Sequence, residues 1–413
     1  MKRFFATTYI LLIAIVTMAQ QLTYEQYMQR VLSNNTALVA RNMDIDIAQA
    51  ALTGSKIYND PSLGVEYTNN EDWSKHLGQS IAAQLSCTFT FGVRSAGINL
   101  AKKELEGTKA VLYDYVRNLH ADATNAFLQS LKAKAILETA FKREEYMQHL
   151  SQSDSLRFVR GEIAKTAWIE TRLAAGLARN QRLAAEAEYR SSIIRIGYYM
   201  GDLSNAQNIA VSGALEQSAT TLEGLDTYIL RALEHRSDLL VAYHNVEIAE
   251  AEKRINSARR RIDLNLSLGA EYNFADPSFT HLAVGAAIPL KFSNINKGER
   301  NRDRAKVEKA NREVADTRLQ IESEVMQAYN NCIIAQMQTE TFTGGMLAET
   351  AELLASKRRA YEQGEISFVE FIETERSENM MQEEYIEALY NKAACWVELQ
   401  RSIGHRFDEP DKR

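Results

Sequence analysis

The sequence predicts a mainly α chain with membrane β-strands, built as two tandem copies of one unit: helix, β-hairpin, long coiled-coil helix pair. Three observations predict this. Matching stretches recur about 200 residues apart, the helical regions carry heptads, and period-two alternation is confined to four short segments.

The repeat comes first because it organises the rest. Tyr27 to Ala50 aligns without a gap on Tyr228 to Ala251, pairing Arg30 with Arg231, Leu32 with Leu233 and Leu38 with Leu239. Ser62-Leu-Gly-Val-Glu-Tyr67 recurs as Ser267-Leu-Gly-Ala-Glu-Tyr272. Phe158-Val-Arg-Gly-Glu-Ile163 recurs as Tyr361-Glu-Gln-Gly-Glu-Ile366, with Glu170 and Glu373 at the same distance beyond. One matched hexapeptide can arise by chance, but three in the same order mark two copies of a long unit. A period of this size repeats half a fold and excludes a solenoid.

The helices follow from composition and period. Only four prolines occur (61, 277, 289 and 410), leaving 62–276 and 290–409 free of them. Proline removes a backbone donor and clashes with the preceding turn, so long proline-free runs rich in Ala, Glu, Leu and Lys favour extended helix. Leu112, Val116, Leu119, Ala123, Ala126, Ser130, Ala133, Leu137 and Ala140 step alternately by four and three; Val307, Val314, Ile321, Ala328 and Ala335 step by seven. That period winds helices left-handedly around neighbours. A soluble coiled coil shows the same pattern. The run from Arg94 to Phe158 would reach ~100 Å as a helix, a length suited to crossing a periplasm.

The strands separate the two readings. In 62–68, 80–91, 264–274 and 282–292, apolar residues such as Leu63, Leu85, Leu268 and Val284 alternate with small or polar ones such as Gly64, Gln84, Gly269 and Gly285. Their length suits tilted membrane strands; a small sheet half-buried against helices would alternate likewise. The polar face carries Glu66 and Glu271 at matched positions, and the connecting loops 69–79 and 275–280 are polar, with Trp73 and Pro277 suited to exposed turns. Four strands cannot close a barrel, and lipid does not tolerate an open edge. A membrane role therefore demands several chains.

The chain ends and bulk charge narrow the class further. Met1-Lys2-Arg3, an apolar run from Thr8 to Met18 and the small Ala19 read as an export signal. No cysteine follows that run, which closes the lipoprotein route. The net charge of −6 excludes a nucleic-acid partner, which needs clustered basic residues. Cys87, Cys332 and Cys395 match no disulfide framework or metal spacing and read as small packed apolar residues. No phosphate-binding glycine loop, nucleophile motif or His-rich spacing is present, so no enzyme, cofactor or metal is expected. A periplasmic coiled-coil adaptor is a rival, but it would carry one helical hairpin between halves of a β-domain rather than tandem copies.

The export signal, the duplicated helix–hairpin–helix-pair unit and the stretch Tyr361-Glu-Gln-Gly-Glu-Ile-Ser-Phe-Val-Glu370-Phe-Ile-Glu373 together resemble the TolC family of outer-membrane factors, over essentially the whole exported chain. The wording of the Gly-Glu-Ile turns is most similar to the branch serving resistance-nodulation-division (RND) pumps, including cobalt–zinc–cadmium and copper–silver systems. The resemblance implies a homotrimer in the outer membrane, extending into the periplasm. Its shared twelve-stranded β-barrel would continue as an α-helical barrel, docked to a periplasmic adaptor and an inner-membrane RND-type transporter. Such a chain is a passive efflux duct; a type I protein-secretion duct is the alternative. The implied organisation is a signal over 1–19, a first repeat over 20–200 turning at 158–166, and an equatorial linker over 201–226. A second repeat over 227–404 turns at 361–368, and a tail covers 405–413.

Two groups of candidate residues lie at the turns. Gly161, Glu162 and Ile163, with Gly364, Glu365 and Ile366, sit where long helices reverse, which glycine's left-handed freedom permits. They are the expected adaptor-docking surfaces, though plain loop chemistry explains the glycines too. Glu370 and Glu373, three apart on one helix face, would form rings of carboxylates in a trimer that favour cations; acidic residues also simply suit a helix N-terminus. The resemblance assigns these two, with Tyr361, to a periplasmic gate. The family's charged bridging pair is replaced here by Ala167 and Ile366, so a latch of that kind lacks its residues.

Overall fold

The structure, a computed structural model, describes residues 20–72, 75–215, 222–274, 278, 281–290 and 297–404. The expected export signal, Trp73, Pro277 and the tail 405–413 lie outside them.

The first copy runs β1 (Gln20–Leu22), α1 (Tyr24–Asn34), α2 (Thr36–Gly54), β2 (Ser62–Asp72), β3 (Lys75–Thr90), α3 (Val93–Val159) and α4 (Lys165–Tyr199). A 3-10 turn (Ala206–Asn208) and β4 (Ile209–Val211) follow. The second copy runs α5 (Leu225–His235), α6 (Ser237–Arg259), β5 (Asp263–Asn273), β6 (His281–Ala287), α7 (Lys297–Thr341), α8 (Leu347–Gln363) and α9 (Phe368–Ile403). Compact units cut across the repeats. Among the described residues, one unit holds those of 40–114 and 237–319; the other holds those of 20–39, 115–236 and 320–404. Each unit therefore takes corresponding parts from both copies.

The unit of 40–114 and 237–319 contains a four-stranded antiparallel sheet in the order β2-β3-β5-β6. Its register stacks the apolar positions into rows: Leu63 opposite Leu85, Leu85 opposite Leu268, and Leu268 opposite Val284. These side chains are exposed, Val284 to 81%. The opposite face is polar, where Ser62 and Ser86 hydroxyls lie 2.7 Å apart and Asn265 donates to Thr88 Oγ1 at 3.2 Å. Beside the sheet, Leu52 of α2 packs on Ala101 and Leu105 of α3.

The strands differ from expectation at their ends. β2 and β3 pair almost to the turn, Asp72 opposite Lys75, so most of the predicted loop 69–79 is strand. β6 stops at Ala287 rather than continuing through 292, because Pro289 has no N–H for the ladder. Residues 291 and 292 lie outside the described ones.

In the other unit, β1 pairs in parallel with β4, Leu22 opposite Val211. The linker expected over 201–226 is thus partly ordered by pairing with the chain start. Tyr27 stacks on Phe127 with ring centroids 5.4 Å apart, and Leu22, Val31 and Ile196 are buried around this point. The heptads appear as burial: Ile321, Val325, Ala328, Cys332, Ala335 and Thr339 form a buried stripe on α7 with alternating spacing of four and three.

Three helical features were not expected. The opening helix of each copy is two helices, broken at the matched residues Asn35 and Arg236. Asn35 caps α2 by accepting from Leu38 N–H at 3.0 Å, and it donates to the Tyr199 carbonyl at 2.9 Å. Arg236 donates to the Ser402 carbonyl and to Glu324. Each break thus holds the carboxyl end of its own copy's return helix. The third feature is a wider turn over Phe342–Met346 between α7 and α8, where Gly345 has φ 126°.

Candidate functional site

The two predicted turns are built alike. Gly161 and Gly364 both have φ +79°. The Glu162 N–H donates to the Arg157 carbonyl at 2.9 Å, and the Glu365 N–H donates to the Ala360 carbonyl at 2.8 Å. These six-residue closures, with glycine in the left-handed region, satisfy the last carbonyls of α3 and α8. A Cβ on Gly161 would meet nothing within 4 Å, so the backbone angle alone requires glycine there. Gly161, Glu162, Gly364 and Glu365 are exposed, while Ile163 and Ile366 are half-buried. The returns differ: Ser367 caps α9 by accepting from Glu370 N–H at 3.3 Å, whereas Ala164 offers α4 no side-chain cap.

Ile366 packs against a core drawn from both copies: Met147 and Leu150 of α3, Ala178 of α4, Leu354 and Tyr361 of α8, and Phe368, Phe371 and Ile372 of α9. Tyr361 stacks on Phe371 (5.3 Å, 18°) and meets Phe368 edge-on at 5.8 Å. Its hydroxyl donates to Asp154 Oδ2 at 2.7 Å. Burial and the Asp154 carboxylate both push the Tyr361 hydroxyl well above the usual tyrosine range. Asp154, 1% exposed, also accepts from Arg157 at 3.3 Å. The structure therefore places Tyr361 inside this core, bonded across the copies.

Glu370 and Glu373 lie on the exposed side of α9, away from buried Phe371 and Ile372. Glu370 is ion-paired with Lys357 of α8. One turn further on, Glu375 is buried and receives a forked ion pair from Arg143 of α3, at 2.7 and 2.8 Å. Arg143 also donates to Gln181 of α4 at 2.7 Å, so one guanidinium joins three helices. Asp154, Arg143, Glu375 and Lys357 escaped the sequence reading. Apart from the Asp154–Arg157 contact, their partners lie 13 to 232 positions away, and no local pattern marks such pairs. The heptads indicated that the long helices pack on neighbours, not which side chains would meet.

Among the described residues, one group could hold a metal: Glu106, His244 and Glu247, whose ligand atoms lie within 4.8 Å of one another. Lys103 sits 2.8 Å from Glu106 and 3.2 Å from Glu247, and the His244 ring lies 2.9 Å from Glu247. Lys103 already bridges these carboxylates, and the His244 hydrogen bond together with Lys103 holds the Glu247 carboxyl below the usual range. The cysteines are differently arranged than their spacing suggests. Cys332 of α7 and Cys395 of α9 are in thiol–thiol contact, which raises the Cys332 value and lowers that of Cys395.

Residues 228–405 match the outer membrane efflux protein family. Over 388 residues, the chain is 20% identical to the cobalt-zinc-cadmium resistance protein CzcC of Cupriavidus metallidurans, spanning 94% of this chain and 91% of that one. The fold is shared with CusC at a TM-score of 0.75 and 16% identity, covering 92% of this chain and 91% of that one. It is shared with the outer membrane protein VceC from Vibrio cholerae at 0.76 and 16% identity, covering 93% and 96%.

Proposed function

We infer that this chain is a TolC-family outer-membrane factor, the passive exit duct of a tripartite efflux system, inserted in the outer membrane and extending into the periplasm. The observation that carries the membrane reading is the four-stranded sheet. Its apolar face is largely exposed in register, and β2 and β6 each have a single neighbour among the described strands. In water such a face is a large unpartnered patch and its edges invite pairing. In lipid the face is solvated, and each edge is satisfied by the next copy of the chain. Three copies supply twelve strands, within the range of closed membrane barrels.

The partners follow the same reading. The homotrimer continues below the barrel as a helical tunnel, and its turns at 161–163 and 364–366 dock a periplasmic adaptor that links the duct to an inner-membrane RND-type transporter. Exposure of both Gly-Glu pairs supports this. Glu370 and Glu373 line the gate and favour cations, and Tyr361 holds the gate helices by its bond to Asp154. Cargo is metal cations, on the strength of the CzcC relationship and the acidic gate.

Detergent extraction followed by unheated electrophoresis tests the duct. A heat-modifiable trimer in the outer-membrane fraction is expected; a monomer in the soluble periplasmic fraction would sink the reading. Loss of zinc, cobalt or cadmium tolerance on deletion, restored by the chain, is expected for the cargo; unchanged tolerance to all three would reject it.

A further inference from the structure

A cleft of about 690 Å³ opens between the end of α6 and the start of α7. Six cationic side chains line it: Lys253, Arg254, Arg260, Arg261, Arg300 and Arg304. Against them stand Glu250 and Asp303 in the lining, and Glu299 at 3.9 Å from Arg260. Asp303 is buried and already accepts from Asn256 at 3.0 Å and Arg260 at 3.2 Å; Glu250 lies 3.6 Å from Arg254. Arg260 and Arg261 are already engaged by neighbouring groups, and Lys253, Arg254, Arg300 and Arg304 still outnumber Glu250 in the rest of the lining, so the cleft is electropositive.

Its place in the chain gives that charge a partner. Arg260 and Arg261 come immediately before β5, whose exposed apolar residues begin the membrane face. Arg300 and Arg304 sit in the opening turns of α7, the helix that follows β6. Ile262 next to Arg261, and Ile288 and Leu290 beyond β6, are exposed apolar residues at the same end of the strands. Cationic side chains beside a lipid-facing apolar band meet the headgroup layer. The corresponding segment of the first copy reads Ser55-Lys56-Ile57-Tyr58 and carries no such arginine cluster. Arg94 there instead donates to the Lys56 carbonyl and stacks on Tyr58.

We propose that this cleft binds the phosphate headgroup of an anionic phospholipid at the periplasmic leaflet, one per chain, with the acyl chains lying against the apolar strand face. The proposal rests on the outer-membrane reading. Guanidinium groups fork onto phosphate oxygens, and juxtamembrane basic residues are drawn to anionic lipid surfaces. Glu250 and Glu299 disfavour a carboxylate-rich ligand crowding the rim.

Native mass spectrometry of the detergent-purified full chain tests this, with added phosphatidylglycerol, phosphatidylethanolamine or inorganic phosphate as probes. Phosphatidylglycerol is expected to be retained in preference to phosphatidylethanolamine, at one per chain. Arg254→Gln/Arg300→Gln/Arg304→Gln should weaken it by roughly tenfold or more. Arg260 is kept because its pair with Asp303 belongs to the fold; if the triple variant does not fold, Lys253→Gln/Arg254→Gln should give a smaller loss. Equal retention of the two lipids, or unchanged retention in a folded variant, would overturn the proposal. So would inorganic phosphate displacing the lipid completely at equal concentration, since the site would then be one for free phosphate. Membrane fractionation and heat-modifiable migration are scored separately. Failure there rejects the duct while the lipid preference in detergent remains readable.

Discussion

The Tyr361 hydroxyl donates at 2.7 Å to Asp154, a carboxylate 1% exposed and 207 positions away, joining α8 of the second copy to α3 of the first. A buried carboxylate depends on its donors. Tyr361→Phe leaves it Arg157 alone and is expected to destabilise the tip by about 1–2 kcal/mol. Asp154→Ala strands both the hydroxyl and Arg157 and is expected to cost more. Faster limited proteolysis near the turns and higher resting conductance in planar bilayers are the readouts; unchanged conductance in both variants would separate this bond from gating.

Cation selectivity is expected to depend unequally on the two gate acids. Lys357 already neutralises Glu370, so Glu373→Gln should shift the reversal potential in a salt gradient more than Glu370→Gln. Lys357→Gln should raise cation selectivity. Equal shifts from both glutamate variants would contradict the assignment.

Three glycines are expected to respond differently to alanine. At Gly161, φ is +79° and the surroundings are open, so Gly161→Ala should cost about 1 kcal/mol from the backbone alone. At Gly201 and Gly404 an added Cβ would come within 2.5 Å of the Asn34 carbonyl oxygen and 2.9 Å of Arg236 Cα. Both should lower the temperature of trimer dissociation far more, measured by heating before electrophoresis.

Alkaline stability is expected to fall in a defined window. Burial raises Tyr146 from 10.0 to about 12, and Tyr361 rises as well. The folded state therefore keeps protons that the unfolded state loses. Their contribution is whole below pH 10 and declines as pH rises from 10 toward 12. Tyrosinate absorbance should show a late fraction that titrates together with loss of the fold; simple titration of every tyrosine near 10 would refute this.

Oxidation is expected to link α7 to α9. With diamide as the two-electron acceptor, the Cys332 and Cys395 thiols should lose two protons and form one intramolecular disulfide. Mass spectrometry of peptides should show it, and Cys395→Ser should abolish it. Preferential linkage through Cys87 would contradict the contact.

Much of this architecture was legible in the residues. Glycine is needed where a helix reverses, so Gly161 and Gly364 announced their turns, and α3 spans 67 residues close to the predicted run from Arg94 to Phe158. The breaks at Asn35 and Arg236 were not legible. Neither residue forbids helix; Asn35 caps the second helix through Leu38 N–H, and both side chains also reach a distant carbonyl, at Tyr199 and Ser402. Aligned copies hid this, since the break is repeated as faithfully as the helix.

By itself the sequence determined the strand faces and the helix-reversing turns, because periodicity and backbone preference are local properties carried by neighbouring residues. The tertiary structure alone decided the register that gathers the apolar positions of four strands into rows. It also decided the burial of Tyr361 against Asp154, the pairing of Glu370 with Lys357 and the contact of Cys332 with Cys395. Those depend on which side chains meet across long separations, and packing rather than local pattern chooses such partners.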